Sequence, residues 1–199
     1  MLVRLGLETT QHHAPADEDR LAALSYSSID EYRAFLLRVF GFEAPIEEAI
    51  GMLRQLEVRF VRDRARSPLL KSDLLALGLS ESQLAEAPRS SAISIRTVAD
   101  ALGWMFVLER QTLLAGLVRR QLQQKLGASI PVEYLGAYGE TPGARLRELG
   151  TRLGNLAHVH TPAAIVDAAH TAFRAQRQWY RHKEPARPEV LEPKARAIA

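Results

Sequence analysis

The chain has 199 residues, 47% of them hydrophobic and 25% charged, a net charge of +3 and no cysteine. That length carries one domain with a sizeable core, and the composition is that of an ordinary soluble globular protein. The missing cysteines exclude disulfides, thiolate catalysis and cysteine-ligated zinc and suit a reducing cytoplasm. Because acids and arginines are interspersed, no basic stripe for nucleic acid is expected. Neither a signal peptide at the N-terminus nor a membrane span of about 20 apolar residues is expected.

In chain order, residues 3–13 read as a short helix ending in His12-His13, with Pro15 just beyond. A second short piece covers Asp17 to Leu24. Ser28 with Glu31 three residues on forms a capping box, so a helix starts at Ile29. Tyr32, Phe35, Leu36, Val39, Phe40 and Phe42 line its apolar face, and Pro45 should bend or interrupt it. The charged stretch from Arg59 leads to a turn at Ser67-Pro68. Leu69 to Leu77 is a short helix closed by Gly78, and Ser80 to Ser94 is a loop with about one helical turn.

Ile95 to Leu126 is the central helix. Its apolar residues recur at helical spacing, and Trp104, Phe106 and Val107 widen the stripe, which places this helix in the middle of the domain. A short helix over 132–138 follows. Thr141-Pro142 and Thr161-Pro162 then start helices of about 142–156 and 162–182. No segment alternates with period 2, and no hairpin turn or internal repeat is present. The reading is all-α: one helical domain over 1–183 and a proline-containing, mobile tail over 184–199.

The sequence holds no phosphate-binding loop, dinucleotide fingerprint, zinc-protease helix or nucleophile elbow. Six histidines remain, at 12, 13, 158, 160, 170 and 182. His158 and His160 read as an exposed loop pair. Asp167 and His170 form one acid-x-x-His step, where a di-iron bundle needs two. His12-His13 is open to two readings, a surface pair or an axial ligand to haem iron.

Several stretches in register resemble the bacterial haem oxygenases found with bacteriophytochromes. They are Glu8-Thr9-Thr10-Gln11-His12-His13, Tyr32 to Leu36, Gly41 to Glu47, Ser67 to Gly78, Ala101 to Thr112-Leu113, and Tyr138 with Gly143 and Arg145. The resemblance covers roughly residues 3–180. It implies an all-α fold with haem between a proximal and a distal helix. It also implies cleavage of haem to biliverdin, carbon monoxide and iron, with electrons from an external donor protein and delivery of biliverdin to a phytochrome. The proximal ligand would be His13, four residues after Thr9, with His12 as the fallback. On the distal segment Gln111, Thr112 and Gly116 would be the catalytic group. Glu109 and Arg4 are further cofactor-binding candidates, although Arg4 lies on another face, and Arg174, Arg177 and Arg181, one stripe at i, i+3 and i+7, read either as a propionate-binding group or as a solvated cationic face.

The chain departs from that pattern in three places. Where the family's distal helix reads Glu-Gly-Ser-Thr-Leu-Gly-Gly, this sequence reads Glu109-Arg110-Gln111-Thr112-Leu113-Leu114-Ala115. Losing three glycines should stiffen the helix and put side chains where bare backbone approached the haem. The basic residue seven before the proximal histidine is Gly6. Pro15 should break the helix after His13 and reorient the imidazole. Two functions therefore stand: a haem oxygenase, or a repurposed haem-oxygenase-like protein that binds haem, a bilin or a partner without catalysis.

Overall fold

In the computed structural model, which describes residues 1–139, 141–156 and 161–181, every regular element is helical. The α-helices are α1 (Leu2–Glu8), α2 (His13–Leu21), α3 (Ile29–Gly51), α4 (Val58–Arg62), α5 (Ser67–Ala76), α6 (Glu81–Ala85), α7 (Val98–Gln111), α8 (Ala115–Leu126), α9 (Glu133–Gly136), α10 (Pro142–Leu156) and α11 (Pro162–Arg181). Short 3₁₀ turns sit at Thr10–His12, Ala22–Ser25 and Thr112–Leu114. The expected loop pair His158 and His160, His182, and the tail over 184–199 lie outside the described residues.

The centre is α7. Its start is fixed by a capping box between Thr97 and Asp100, in which each side chain accepts from the other residue's backbone N–H. Trp104, Met105 and Leu108 are buried, as is nearly every residue of the helix from Val98 to Glu109. The helix that covers it most closely is α11, through Ile165, Ala168, Ala169, Ala172 and Phe173. Gly103 makes that crossing possible. A Cβ there would lie 2.6 Å from the Ile165 carbonyl oxygen and 2.7 Å from both Ala168 Cβ and Ala169 N. A second apolar cluster joins the N-terminal half of α3 to α5, α8 and α9.

Three sequence expectations change. Pro45 does not interrupt α3, which runs unbroken from Ile29 to Gly51. The carbonyl it cannot serve is that of Gly41, four residues back, and this oxygen instead accepts from the Ser90 N–H at 2.8 Å. The bare Gly41 also admits Pro88 and the Trp179 ring, which a Cβ would meet at 2.3 and 2.8 Å.

The central helix is also not one stiff rod. It leaves α geometry over Thr112–Leu114 before resuming as α8. The Thr112 hydroxyl donates to the Glu109 carbonyl at 2.7 Å, a local bond that competes with the helix ladder. Finally, Val98–Leu126 taken together is 29 residues long and apolar enough by composition to cross a membrane, contrary to the expectation that no run approaches a span. Since 67% of its most apolar window is buried inside the domain, that apolarity serves the core.

Candidate functional site

The N-terminal histidines are delivered by a restart of the helix. The first helix ends at Glu8, a 3₁₀ turn carries Thr10 to His12, and α2 begins at His13. Pro15 thus occupies the first turn of α2, where the backbone N–H has no intrahelical partner to lose. The expected break lies ahead of His13, not after it.

Two faces of α2 emerge, about a third of a turn apart at 3.6 residues per turn. One carries His13, Asp17 and Arg20 and meets α7 and the turn after it. The other, continuous with His12 of the preceding 3₁₀ turn, carries Pro15, Ala16 and Asp19 and meets α11.

His13 is half-buried, and its Nε2 lies 3.0 Å from Thr9 Oγ1. The Thr9 hydroxyl has one hydrogen, which it gives to the Leu5 carbonyl at 2.7 Å. The imidazole Nε2–H must therefore be the donor to Thr9. Burial is the main cause lowering the His13 pKa, helped by the Arg110 and His12 charges against the opposing pull of Asp17. His12 turns to another partner, its Nε2 standing 3.0 Å from His170 Nδ1 with its ring stacked on Phe173. Its pKa is lowered by burial first, then by His170 and Arg174.

Facing His13, the polar side chains at the end of α7 are spent on bonds. Arg110 grips Asp17 at two points, Nη1 to Oδ1 at 2.6 Å and Nη2 to Oδ2 at 2.8 Å. Gln111 Oε1 accepts from the Arg20 guanidinium, which also donates to Glu43. Glu43 is fully buried, pairs with Arg66 at 3.2 Å and accepts from the Tyr134 hydroxyl at 2.7 Å. Glu109 is likewise buried, held by the Tyr138 hydroxyl at 2.8 Å and by Arg64 at 3.4 Å. Burial pushes both tyrosine hydroxyls well above their ordinary range. Arg20 and Arg66 stay charged despite their burial, because Glu43 and the neighbouring tyrosines favour the cation.

The remaining candidates are dispersed. Arg4 is exposed on α1 and meets only Glu8 among the described contacts. Gly116, the second residue of α8, has free space around it: a Cβ placed there would meet nothing nearer than Arg120 Nη1 at 3.8 Å. Arg174 is exposed and donates to Thr171. Arg177 donates to the Pro15 carbonyl and to Asp19, on the His12 face of α2 rather than the His13 face. The arginine stripe therefore does not converge with Glu109, Gln111 and Thr112. Reading the sequence missed Asp17, Arg20, Glu43, Arg66 and Tyr134. One signal was available: Glu43 is a lone carboxylate between Phe42 and Ala44 on an apolar helix face, which requires a buried partner.

A haem between α2 and the Glu109–Gly116 segment would need van der Waals contact of ~3.5 Å on each face, or about 7 Å of clear space. Instead Cα atoms of α2 come within 8 Å of Cα atoms in α7 and in the turn after it. Arg110 and Asp17 span the gap directly. In this arrangement the residues do not fit the cofactor.

The fold and site thus define an all-α protein with a helical core and a polar cross-link between its second and seventh helices. Compared with models of protein families, with curated proteins and with solved structures, the chain matches none.

Proposed function

We propose that this chain is a non-catalytic binding protein on a haem-oxygenase-like scaffold. The observation that carries the reading is the bridge of Arg110 to Asp17 and Gln111 to Arg20, which joins α2 to the distal segment where a haem would have to enter. The three residues that replace glycine act differently. Arg110 supplies the bridge, while Leu114 and Ala115 add bulk on the same segment.

A second reading keeps the activity: cleavage of haem to biliverdin, carbon monoxide and iron, fed by an electron-donor protein and supplying a phytochrome. One observation favours it, the contact of Thr9 with His13 at the spacing that the resemblance implies.

Hemin titration followed by a reductant separates the two. The first reading expects no saturable Soret band at one equivalent and no biliverdin from the wild type. It also expects hemin uptake to appear when Arg110, Leu114 and Ala115 are all changed to glycine. That triple change costs about 3 kcal/mol of helix stability at ~1 kcal/mol each, so circular dichroism must first show the variant folded. A sharp one-equivalent band and stoichiometric biliverdin from the wild type would establish the second reading instead.

A further inference from the structure

On the face of α2 that continues from His12, the packing against α11 leaves a cavity of about 140 Å³. His12, Pro15, Ala16 and Phe173 line it together with Asp19, Arg177 and Arg181. A cavity of roughly 150 Å³ holds one benzene-sized ring. The wall offered to such a ring is held in place: His12 stacks on Phe173 with 13° between the planes, and His170 fixes the far edge of the His12 imidazole at 3.0 Å.

The two arginines that line it differ in how far they are engaged. Arg177 spends one Nη on Asp19 and the Pro15 carbonyl, and its other Nη lies 3.9 Å from Glu18. One turn further along α11, Arg181 is exposed, and among the described residues no hydrogen bond or ion pair engages it. Arg177 is thus engaged by Asp19, Pro15 and Glu18, whereas Arg181 acts on Asp19 through its charge alone, which leaves its guanidinium N–H donors unspent among the described residues. A free guanidinium presents a planar fork that suits a carboxylate. A dianion would gain little, because Glu18 and Asp19 stand at the same place.

We propose that the cavity between α2 and α11 binds a small aromatic monocarboxylate. Its ring lies against Phe173, His12 and Pro15, and its carboxylate reaches Arg181. The site lies about a third of a turn around α2 from the Arg110–Asp17 bridge, and it rests on the non-catalytic reading, since a haem oxygenase would spend Arg177 and Arg181 on propionates.

The test uses the full chain with benzoate as probe, followed by calorimetry and by the imidazole resonances of His12 and His170. Saturable one-to-one binding with a roughly millimolar or tighter dissociation constant is expected, with both imidazoles shifting. Arg181→Gln, a surface change that leaves the fold alone, should weaken benzoate about tenfold. Benzyl alcohol, which keeps the ring and loses the charge, should bind the wild type about as weakly. Ala16→Leu, which fills the cavity, should abolish binding. Three results overturn the proposal: no saturable benzoate binding, binding indifferent to Arg181→Gln, or inorganic phosphate displacing benzoate at equal concentration. The last would mark a bare anion site without ring recognition.

Discussion

Arg110 and Asp17 form a two-point ion pair across the junction of α7 and α2, with bonds of 2.6 and 2.8 Å. Both side chains are mostly shielded, at 14% and 30% exposure. The pair does two things: it docks the helix carrying His13, and it takes up the space beside that histidine. Two-point, charge-assisted bonds in a half-buried setting exceed the value of an exposed pair. A double-mutant cycle of Arg110→Ala and Asp17→Ala in urea should give a coupling of about 1–2 kcal/mol. Coupling within measurement error would mean the bridge is incidental to the docking of α2.

Glu43 sits between Arg20 and Arg66 with no exposed surface. Replacing it by glutamine leaves two buried cations without their shared counter-charge. Breaking a buried pair in this way costs about 3–5 kcal/mol, a large part of the 5–15 kcal/mol that holds a domain folded. Glu43→Gln should therefore be largely unfolded at a urea concentration where the wild type is still native. A loss under about 1 kcal/mol would show that Arg20 and Arg66 do not depend on the Glu43 charge.

Two glycines should respond in opposite directions. Gly103→Ala drives a methyl into the backbone of α11 at 2.6–2.7 Å, an overpacking that costs about 1–3 kcal/mol or more and outweighs the helix propensity gained. Gly116→Ala meets open space, with nothing nearer than 3.8 Å, and should be neutral or stabilising by up to about 1 kcal/mol. Melting temperatures of the two variants measure the difference, and equal shifts would contradict the close α7–α11 crossing.

His12 and His13 both have folded pKa values below the ordinary imidazole value, with burial as the leading cause. As pH falls, the unfolded chain takes up protons first. Stability from these groups is therefore whole above about pH 6.5 and declines as pH drops through that value towards the folded pKa. The wild type should lose more melting temperature between pH 7.5 and pH 5.5 than the double variant His12→Gln/His13→Gln. An identical pH slope in the two proteins would rule the imidazoles out as its source.

The sequence by itself determined the helical class, the helix starts at Ile29, Pro142 and Pro162, and the central place of the helix that it began at Ile95. Each follows from local rules: the Ser28–Glu31 cap, 3.6-residue apolar spacing, and prolines after threonine. The resemblance also paired Thr9 with His13, and the two side chains meet at 3.0 Å. What the sequence left open depends on contacts between residues far apart in the chain. Pro45 passes through α3 because Ser90 serves the carbonyl of Gly41. His12 belongs with His170, 158 positions away, and Arg177 belongs with Asp19 rather than with the distal segment. Only the tertiary structure decided that Arg110 would cross to Asp17 and close the space beside His13. The partner of a charged side chain is set by which helices lie against each other, and residue spacing along one helix carries no record of that.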